Sequence, residues 1–230
     1  MSVALDPNEA RNPVQAGIWK GDLVGYARGD EKPWWIVGQW EGRFSSQAYE
    51  ISEEEQSDIN LLFARRGLDY PVVAAPMYYE WGGQLLPDPQ GSQKIVRGDT
   101  GKPIATRGSE YRIADKEILK SFVRDLAGLD LRVRSAGTLQ DGGVIFVCID
   151  MPPMMIAGDQ HFAHIVTLDS YNGLFTLTAF PTVTRAVCLN TCRIGATEGQ
   201  QFRVKVRHSG DIQTKADEAK QAAFEKAIDS

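Results

Sequence analysis

The dipeptide Asn172-Gly173 stands between two alternating runs, His164 to Tyr171 and Leu174 to Phe180, and a helical pattern follows from Thr182 to Ala196. Asn-Gly is a strong short signal for a β-hairpin, because both residues accept the positive φ that a two-residue turn demands. Such a turn fixes the register. Ser170 then faces Phe175, Leu168 faces Leu177 and Val166 faces Ala179 on one apolar face, while Asp169 with Thr176 and Thr167 with Thr178 form the other. That second face is expected to meet solvent or a ligand.

The segments before the hairpin read as further sheet and helix. Ser52 and Glu55 have the spacing of a capping box, Ile59, Leu62 and Phe63 mark a helical face, and Gly67 is placed to end a helix of about three or four turns. Leu68 to Trp81 reads as a strand pushed to an edge or bulge by Pro71 and Pro76, and Gly82 to Gln93 as a turn region. Lys94 to Gly108 reads as a short strand and loop. Asp115 is placed to cap a helix whose Ile118, Leu119, Phe122, Val123 and Leu126 share one face before Gly128. After the turn signal Asp141-Gly142-Gly143, Val144 to Ile149 is a continuous apolar run of the kind found in strands covered on both faces, and is expected to be the central strand. Val183, Ala186, Val187, Asn190 and Ile194 follow helical spacing, Phe202 to His208 alternates as a strand, and a last helix is expected from about Thr214 to Ile228. The fold class expected is α+β: a curved, mainly antiparallel β-sheet with β-hairpins, packed against helices on one face. Residues 1–16 read as a flexible leader and 17–230 as a single domain.

At 230 residues and 43% hydrophobic content the chain can bury a normal core. No apolar run approaches the roughly 20 residues of a membrane span, and Met1 to Pro13 lacks a signal-peptide core. Cys148, Cys188 and Cys192 cannot all pair and are read as free thiols, which suits a reducing cytoplasm. The net charge of -5 conceals segregation. Residues 1–93 carry 7 basic and 14 acidic side chains, residues 94–134 carry 10 and 6, and residues 185–230 carry 8 and 6. A locally basic face on an acidic protein binds phosphates, since the potential at the contact governs affinity more than total charge does; the other reading is ordinary solvated surface charge. If Leu131 and Val133 point inward, Arg132 and Arg134 share the opposite face of their strand about 7 Å apart. Arg203, Lys205 and Arg207 likewise fall on one side of theirs.

Motifs with specific chemistry are few. His161, His164, Cys188 and Cys192 include metal-binding types, but Cys-x3-Cys inside an apolar helical pattern is not zinc-finger spacing. Neither a nucleophile elbow nor a Walker A loop nor a dinucleotide fingerprint occurs. Cys188 beside His208 would need a base and an orienting group that nothing in the sequence positions, and His208 itself reads as a phosphate contact or a structural hydrogen bond ahead of a general base. No catalytic residue, metal or cofactor is expected, and a metal-dependent nuclease would need carboxylate clusters that are not evident.

Several phrases carry a resemblance: Ala64-Arg-Arg-Gly-Leu-Asp-Tyr70, Val96-Arg-Gly-Asp-Thr-Gly101, Gly108 to Tyr111, Ala136-Gly-Thr-Leu139, Tyr171-Asn-Gly173, Thr184 to Thr191, and Arg207-His-Ser209. Together they resemble the phage/plasmid-like proteins grouped as domain of unknown function 932, over about residues 17–225. In that family the hairpin turn more often reads His-Asp-Gly-Ser and the position of Cys192 is usually aliphatic, which counts against a metal role for Cys192. The order of elements is also similar to the core of the Red-beta, RecT and Rad-type single-strand annealing proteins. That topological resemblance implies a cofactor-free, cytoplasmic, single-stranded-DNA-binding protein of phage or plasmid origin, assembled as a ring or helical filament and acting in recombination. The phosphate-contacting candidates are Arg97, Lys102, Arg107, Arg132, Arg134, Arg185, Arg203, Lys205, Arg207 and His208. The alternative is an accessory protein that binds and modulates a host protein, with Trp34, Trp35 and Trp40 as interface anchors.

Overall fold

The computed structural model describes residues 23–27, 50–127, 132–152, 154–156, 159–161, 163–184, 186, 189–200 and 203–218. Its strands are β1 (Leu23–Ala27), β2 (Glu50–Ile51), β3 (Val72–Pro76), β4 (Tyr78–Trp81), β5 (Gln84–Pro87), β6 (Gln93–Arg97), β7 (Pro103–Arg107), β8 (Val133–Leu139), β9 (Val144–Asp150), β10 (Met154–Ile156), β11 (Asp159–His161), β12 (His164–Ser170), β13 (Leu177–Thr182) and β14 (Val204–Val206). Its helices are α1 (Glu53–Ser57), α2 (Ile59–Arg65), α3 (Lys116–Ala127) and α4 (Leu189–Glu198), with a further helical segment over residues 212–218. No helix among the described residues is long and apolar enough to cross a membrane.

The main sheet runs β14-β13-β12-β9-β8-β1-β2, antiparallel throughout except where β1 meets β2. The apolar run Val144 to Ile149 forms β9, near the middle of the sheet, and all six side chains are fully buried. Alternation then divides them between two cores. Ile145, Val147 and Ile149 pack with α2, α3 and Ile212 and Ala216, while Val144, Phe146 and Cys148 pack with Phe180 and with Leu189, Cys192 and Ala196 of α4. Each such side chain contributes about 1.5–3 kcal/mol by leaving water, which makes this strand the energetic centre of the fold. The α+β class and the antiparallel sheet are as expected; α1–α3 cover one face, and α4 adds cover on the other.

The hairpin differs from its expectation by one residue. Leu168 pairs with Thr178 and Val166 with Phe180, not with Leu177 and Ala179. The turn is wider than two residues because the Ser170 hydroxyl takes the place of backbone pairing: it accepts from the Phe175 N–H at 2.9 Å and donates to the Phe175 carbonyl at 2.7 Å. A one-residue slip moves side chains to opposite faces. Thr167 therefore lies opposite Ala179, on the face of α3, and the Asp/Thr face assigned to solvent is buried, with Asp169 only 2% exposed. On that face the Thr167 hydroxyl donates to the Val147 carbonyl, while Thr178, which the slip carries to the Leu168 face, donates to that of Val204.

Other boundaries move for local reasons. The Ser52 capping box is present, but the expected single helix is two, because Asp58 adopts φ -129° and caps α2 by accepting from the Asn60 and Leu61 N–H groups. Thr182 ends β13 opposite His164, so the helix read from Thr182 starts at Leu189. The expected last helix is present over 212–218, and its remainder lies outside the described residues. The stretch Leu68 to Gln93 is more ordered than expected. The β3–β6 ladder continues through Met77, which donates to Ser92 and accepts from Asp88, into the β4–β5 hairpin, so residues 72–97 form one long two-stranded arm, backed at its base by β7.

Candidate functional site

Chemistry-bearing side chains gather where two turns of the main sheet meet the base of the arm. The β8–β9 turn places Gln140 and Asp141 at φ 54° and 55° and closes with the Gly143 N–H on the Gln140 carbonyl. The Gly143 carbonyl accepts from the Tyr171 N–H at 2.9 Å, and the Asn172 amide donates to the Gln140 side chain at 2.5 Å, so the two turns are tied together. Arg97 of the arm donates to the Asp141 carbonyl at 3.3 Å, and Tyr70, just before the arm, donates to the Gly142 carbonyl at 2.5 Å.

Four aromatic rings line this junction. The Arg97 guanidinium lies 4.0 Å and the Lys116 ammonium 3.7 Å from the Tyr70 ring centroid, and Tyr70 meets Tyr171 edge-on at 6.3 Å. Arg107 packs against Gly173 and lies 5.8 Å from the Tyr111 ring, which stacks on His208 at 5.2 Å. Cations over ring faces gain electrostatic attraction when desolvated. Burial pushes the Lys116 ammonium down to about 8, against the pull of Asp69, and raises all three tyrosine hydroxyls well above their usual value. Lys116 Nζ, Arg107 Nε and Nη2, and the Tyr171 hydroxyl are buried without a hydrogen-bond partner among the described residues. Orphaned buried polar atoms are costly, about 1–3 kcal/mol each, so each position calls for a water, an ion or a ligand group as partner.

His208 has an acceptor at each ring nitrogen, the Arg112 carbonyl 3.2 Å from Nδ1 and Asp169 Oδ1 2.8 Å from Nε2. The Asp169 contact is off the line of an ideal N–H bond, leaving an ion pair rather than an aligned hydrogen bond. Burial opposes the charge on the ring, but the Asp169 carboxylate outweighs it and raises the imidazole above 6.5. A raised folded value stabilises below the unfolded value and loses that contribution as pH rises through the folded one. The stability gap between the wild type and His208→Gln, measured by thermal melts from pH 6 to 8, is therefore expected to narrow as pH rises; a gap independent of pH would show that the imidazolium contributes nothing.

The ten cationic candidates separate. Arg97 pairs with Asp99 at 2.8 Å, and the exposed Lys102 lies 3.4 Å from Asp141. Arg97, Arg107 and His208 belong to the junction. Arg132 and Arg134 do not form the expected two-residue stripe: Arg132 precedes β8 and is exposed, whereas Arg134 occupies a bulge between Val133 and Ser135 and turns to Asp150 at 3.3 Å. Asp150 also contacts His164 Nδ1 at 2.9 Å, so these three form a separate cluster at the far end of the sheet. Arg203 is half-buried and donates to the Ala196 carbonyl, while Lys205 and Arg207 are exposed along edge strand β14. Arg185, Cys188, Trp34, Trp35 and Trp40 lie outside the described residues. Two exposed cations that charge patterning did not single out adjoin the edge: Arg112, whose N–H donates to the His208 carbonyl, and Lys215, whose ammonium donates to that of Ser209.

The described residues thus define an antiparallel-sheet α+β protein whose cations and tyrosines meet at one end of the sheet and continue along its β14 edge; they hold no group of three metal-ligating side chains. The phrases that carry the sequence resemblance supply this junction: Tyr70, Arg97, Tyr111, Tyr171-Asn172-Gly173 and His208 come from five of them. The family model described as Domain of unknown function (DUF932) matches residues 103–229, just over half of the chain, and the protein belongs to that family. No match was found among curated proteins or among solved structures.

Proposed function

We propose that the protein binds single-stranded DNA and anneals complementary strands, as a homo-oligomer without a cofactor, in phage or plasmid recombination in the bacterial cytoplasm. The observation that carries this reading is the set of exposed cations Lys205 and Arg207, on β14 and just after it, with Arg112 and Lys215 tied to the His208–Ser209 segment that follows, beside a junction where Arg107 and Lys116 keep buried nitrogens without acceptors among the described residues. A cationic track beside aromatic faces is the arrangement that follows a single strand's backbone while tolerating any base sequence. Each phosphate neutralised adds about 0.7 to the slope of log affinity against log salt for a single strand.

Fluorescence anisotropy with an oligothymidine is the test. The double variant Lys205→Ala, Arg207→Ala should bind about tenfold more weakly near 0.15 M salt, with a slope flatter by about 1.4, and should anneal labelled complementary strands more slowly. Salt-independent or absent binding by the wild type would overturn the proposal. The second reading, a module that docks on another protein, is favoured by the apolar surface of the arm, where Trp81 is 74% exposed.

A further inference from the structure

Asn172-Gly173, in the turn between β12 and β13, is the one Asn-Gly pair in the chain. An asparagine followed by glycine closes readily to a five-membered imide, because no side chain on the second residue keeps its nitrogen from the asparagine Cγ. Three features of this turn favour that attack. The nucleophile is uncommitted: Gly173 is exposed at φ 74°, and its N–H has no hydrogen-bond partner among the described residues. The electrophile is held. Asn172 Nδ2 donates to Gln140 Oε1 at 2.5 Å and Oδ1 accepts from the Leu174 N–H at 3.2 Å, so the side chain folds over the Gly173 peptide with its carbonyl polarised by a donor. Fixing two reacting groups in one orientation removes much of the entropy cost of joining them.

The third feature is charge. A Cβ built on Gly173 would fall on the Arg107 guanidinium, whose Nε and Nη2 are buried without an acceptor among the described residues. The acids of the adjoining turn and strand, Asp141 and Asp169, are each paired, with Lys102 and His208. A guanidinium pressed on the Gly173 backbone stabilises negative charge there, on the nitrogen as it loses its proton and on Oδ1 as the tetrahedral intermediate forms. We infer that Asn172 is a site of spontaneous deamidation promoted by Arg107. The Gly173 nitrogen, its proton lost to solvent base, bonds to Asn172 Cγ; the Cγ–Nδ2 bond breaks and ammonia leaves with a proton from water. Water then opens the imide. Cleavage of the new Cγ–N bond gives aspartate, and cleavage of the original peptide bond gives isoaspartate, so the net change is one water consumed and one ammonia released. Either product sets a carboxylate beside Arg107 and lowers the net charge of the junction by one. The inference goes beyond the proposed function and does not depend on it.

Peptide mass spectrometry of the full chain, aged at mildly alkaline pH and sampled over time, tests it. The peptide holding residue 172 should pass from asparagine to a mixture of aspartate and isoaspartate, while Asn60 and Asn190, followed by leucine and threonine, stay intact. The folded wild type should convert at least as fast as the same chain unfolded in urea, where neither the side-chain orientation nor the guanidinium is held at the turn. Arg107→Gln should slow conversion of the folded chain about tenfold, and Arg107→Lys, which keeps the charge, should retain most of the rate. Both variants should match the wild type in urea. Circular dichroism establishes that the variants are folded; the comparison of folded and unfolded wild type stands without them. An Asn172 that stays intact in the folded protein while the unfolded chain converts would overturn the inference. Equal rates for folded wild type and folded Arg107→Gln would overturn it as well.

Discussion

Glu55→Ala should lower the stability of the fold by about 3–5 kcal/mol, the usual cost of removing one partner from a buried ion pair. Glu55 is 1% exposed, and Arg66 donates to it through Nε at 2.6 Å and Nη2 at 2.9 Å, a bidentate contact that spans α1 and the end of α2. The same carboxylate accepts from the Ser52 N–H at 2.9 Å, completing the cap of α1. Alanine removes both and leaves a guanidinium with little access to water. Glu55→Gln keeps the cap acceptor and the volume, so it should cost less. Urea unfolding reads the difference as a lower midpoint with an unchanged slope. Burial works to raise the Glu55 carboxyl, but the hydrogen bonds from Arg66 and Ser52 hold it below its usual value of 4.5. A depressed carboxylate contributes in full above the unfolded value and loses that contribution as pH falls through the folded one. The acid limb of the stability curve should therefore be shallower in Glu55→Ala; equal stability of the two proteins at pH 7 would show the pair to be dispensable.

This ion pair marks how far sequence patterns reach. The Ser52–Glu55 capping box, the α3 face and the β9 run were legible because each is decided by residues within a few positions of one another. Arg66 as the partner of Glu55 was not, since the capping reading accounts for only one role of that carboxylate. The hairpin shows the limit from the other side. Asn172-Gly173 does mark a reversal between β12 and β13, yet the register is set by the Ser170 hydroxyl on Phe175, a side-chain bond that no turn propensity encodes. Arg134 lost its expected place to a bulge whose cause is the pairing of β8 with β9, not its own neighbours. The arm was hidden by Pro71, Pro76, Gly82 and Gly83, which read as breakers although they permit an edge strand and its turn. Of the junction, Arg97, Arg107 and His208 were chosen for charge, while Tyr70, Tyr111, Lys116 and Tyr171 were not. The three tyrosines carried a signal only in the phrases of the family resemblance, because Tyr70 meets Tyr171, and Tyr111 meets His208, through tertiary structure alone.

Gly142→Ala should destabilise by about 2–5 kcal/mol and loosen this junction at its root, the sum of backbone strain and crowding. The residue sits at φ 90°, where a side chain costs about 1–2 kcal/mol in backbone strain. A Cβ there would lie 2.9 Å from Tyr70 Cζ, 3.0 Å from its hydroxyl and 2.9 Å from Arg97 Nη1. Tyr70 is buried and donates to the Gly142 carbonyl, so its ring cannot withdraw without losing that bond, and crowding of this kind adds about 1–3 kcal/mol. Gly101 is the control: its φ is 69°, but a methyl group at that position would have no neighbour within 4 Å, so Gly101→Ala should cost the strain alone. The excess at Gly142 should disappear when the Tyr70 ring is removed. In a Tyr70→Ala background Gly142→Ala is expected to cost no more than Gly101→Ala, giving a coupling of about 1–3 kcal/mol in a double-mutant cycle read by urea unfolding. Strict additivity of the two substitutions would mean that the ring and the turn do not press on each other. The same cycle bears on the proposed DNA binding, because Tyr70 carries Arg97 and Lys116 against its ring. A turn that displaces the ring should move both cations and weaken oligothymidine binding even at temperatures where Gly142→Ala remains folded.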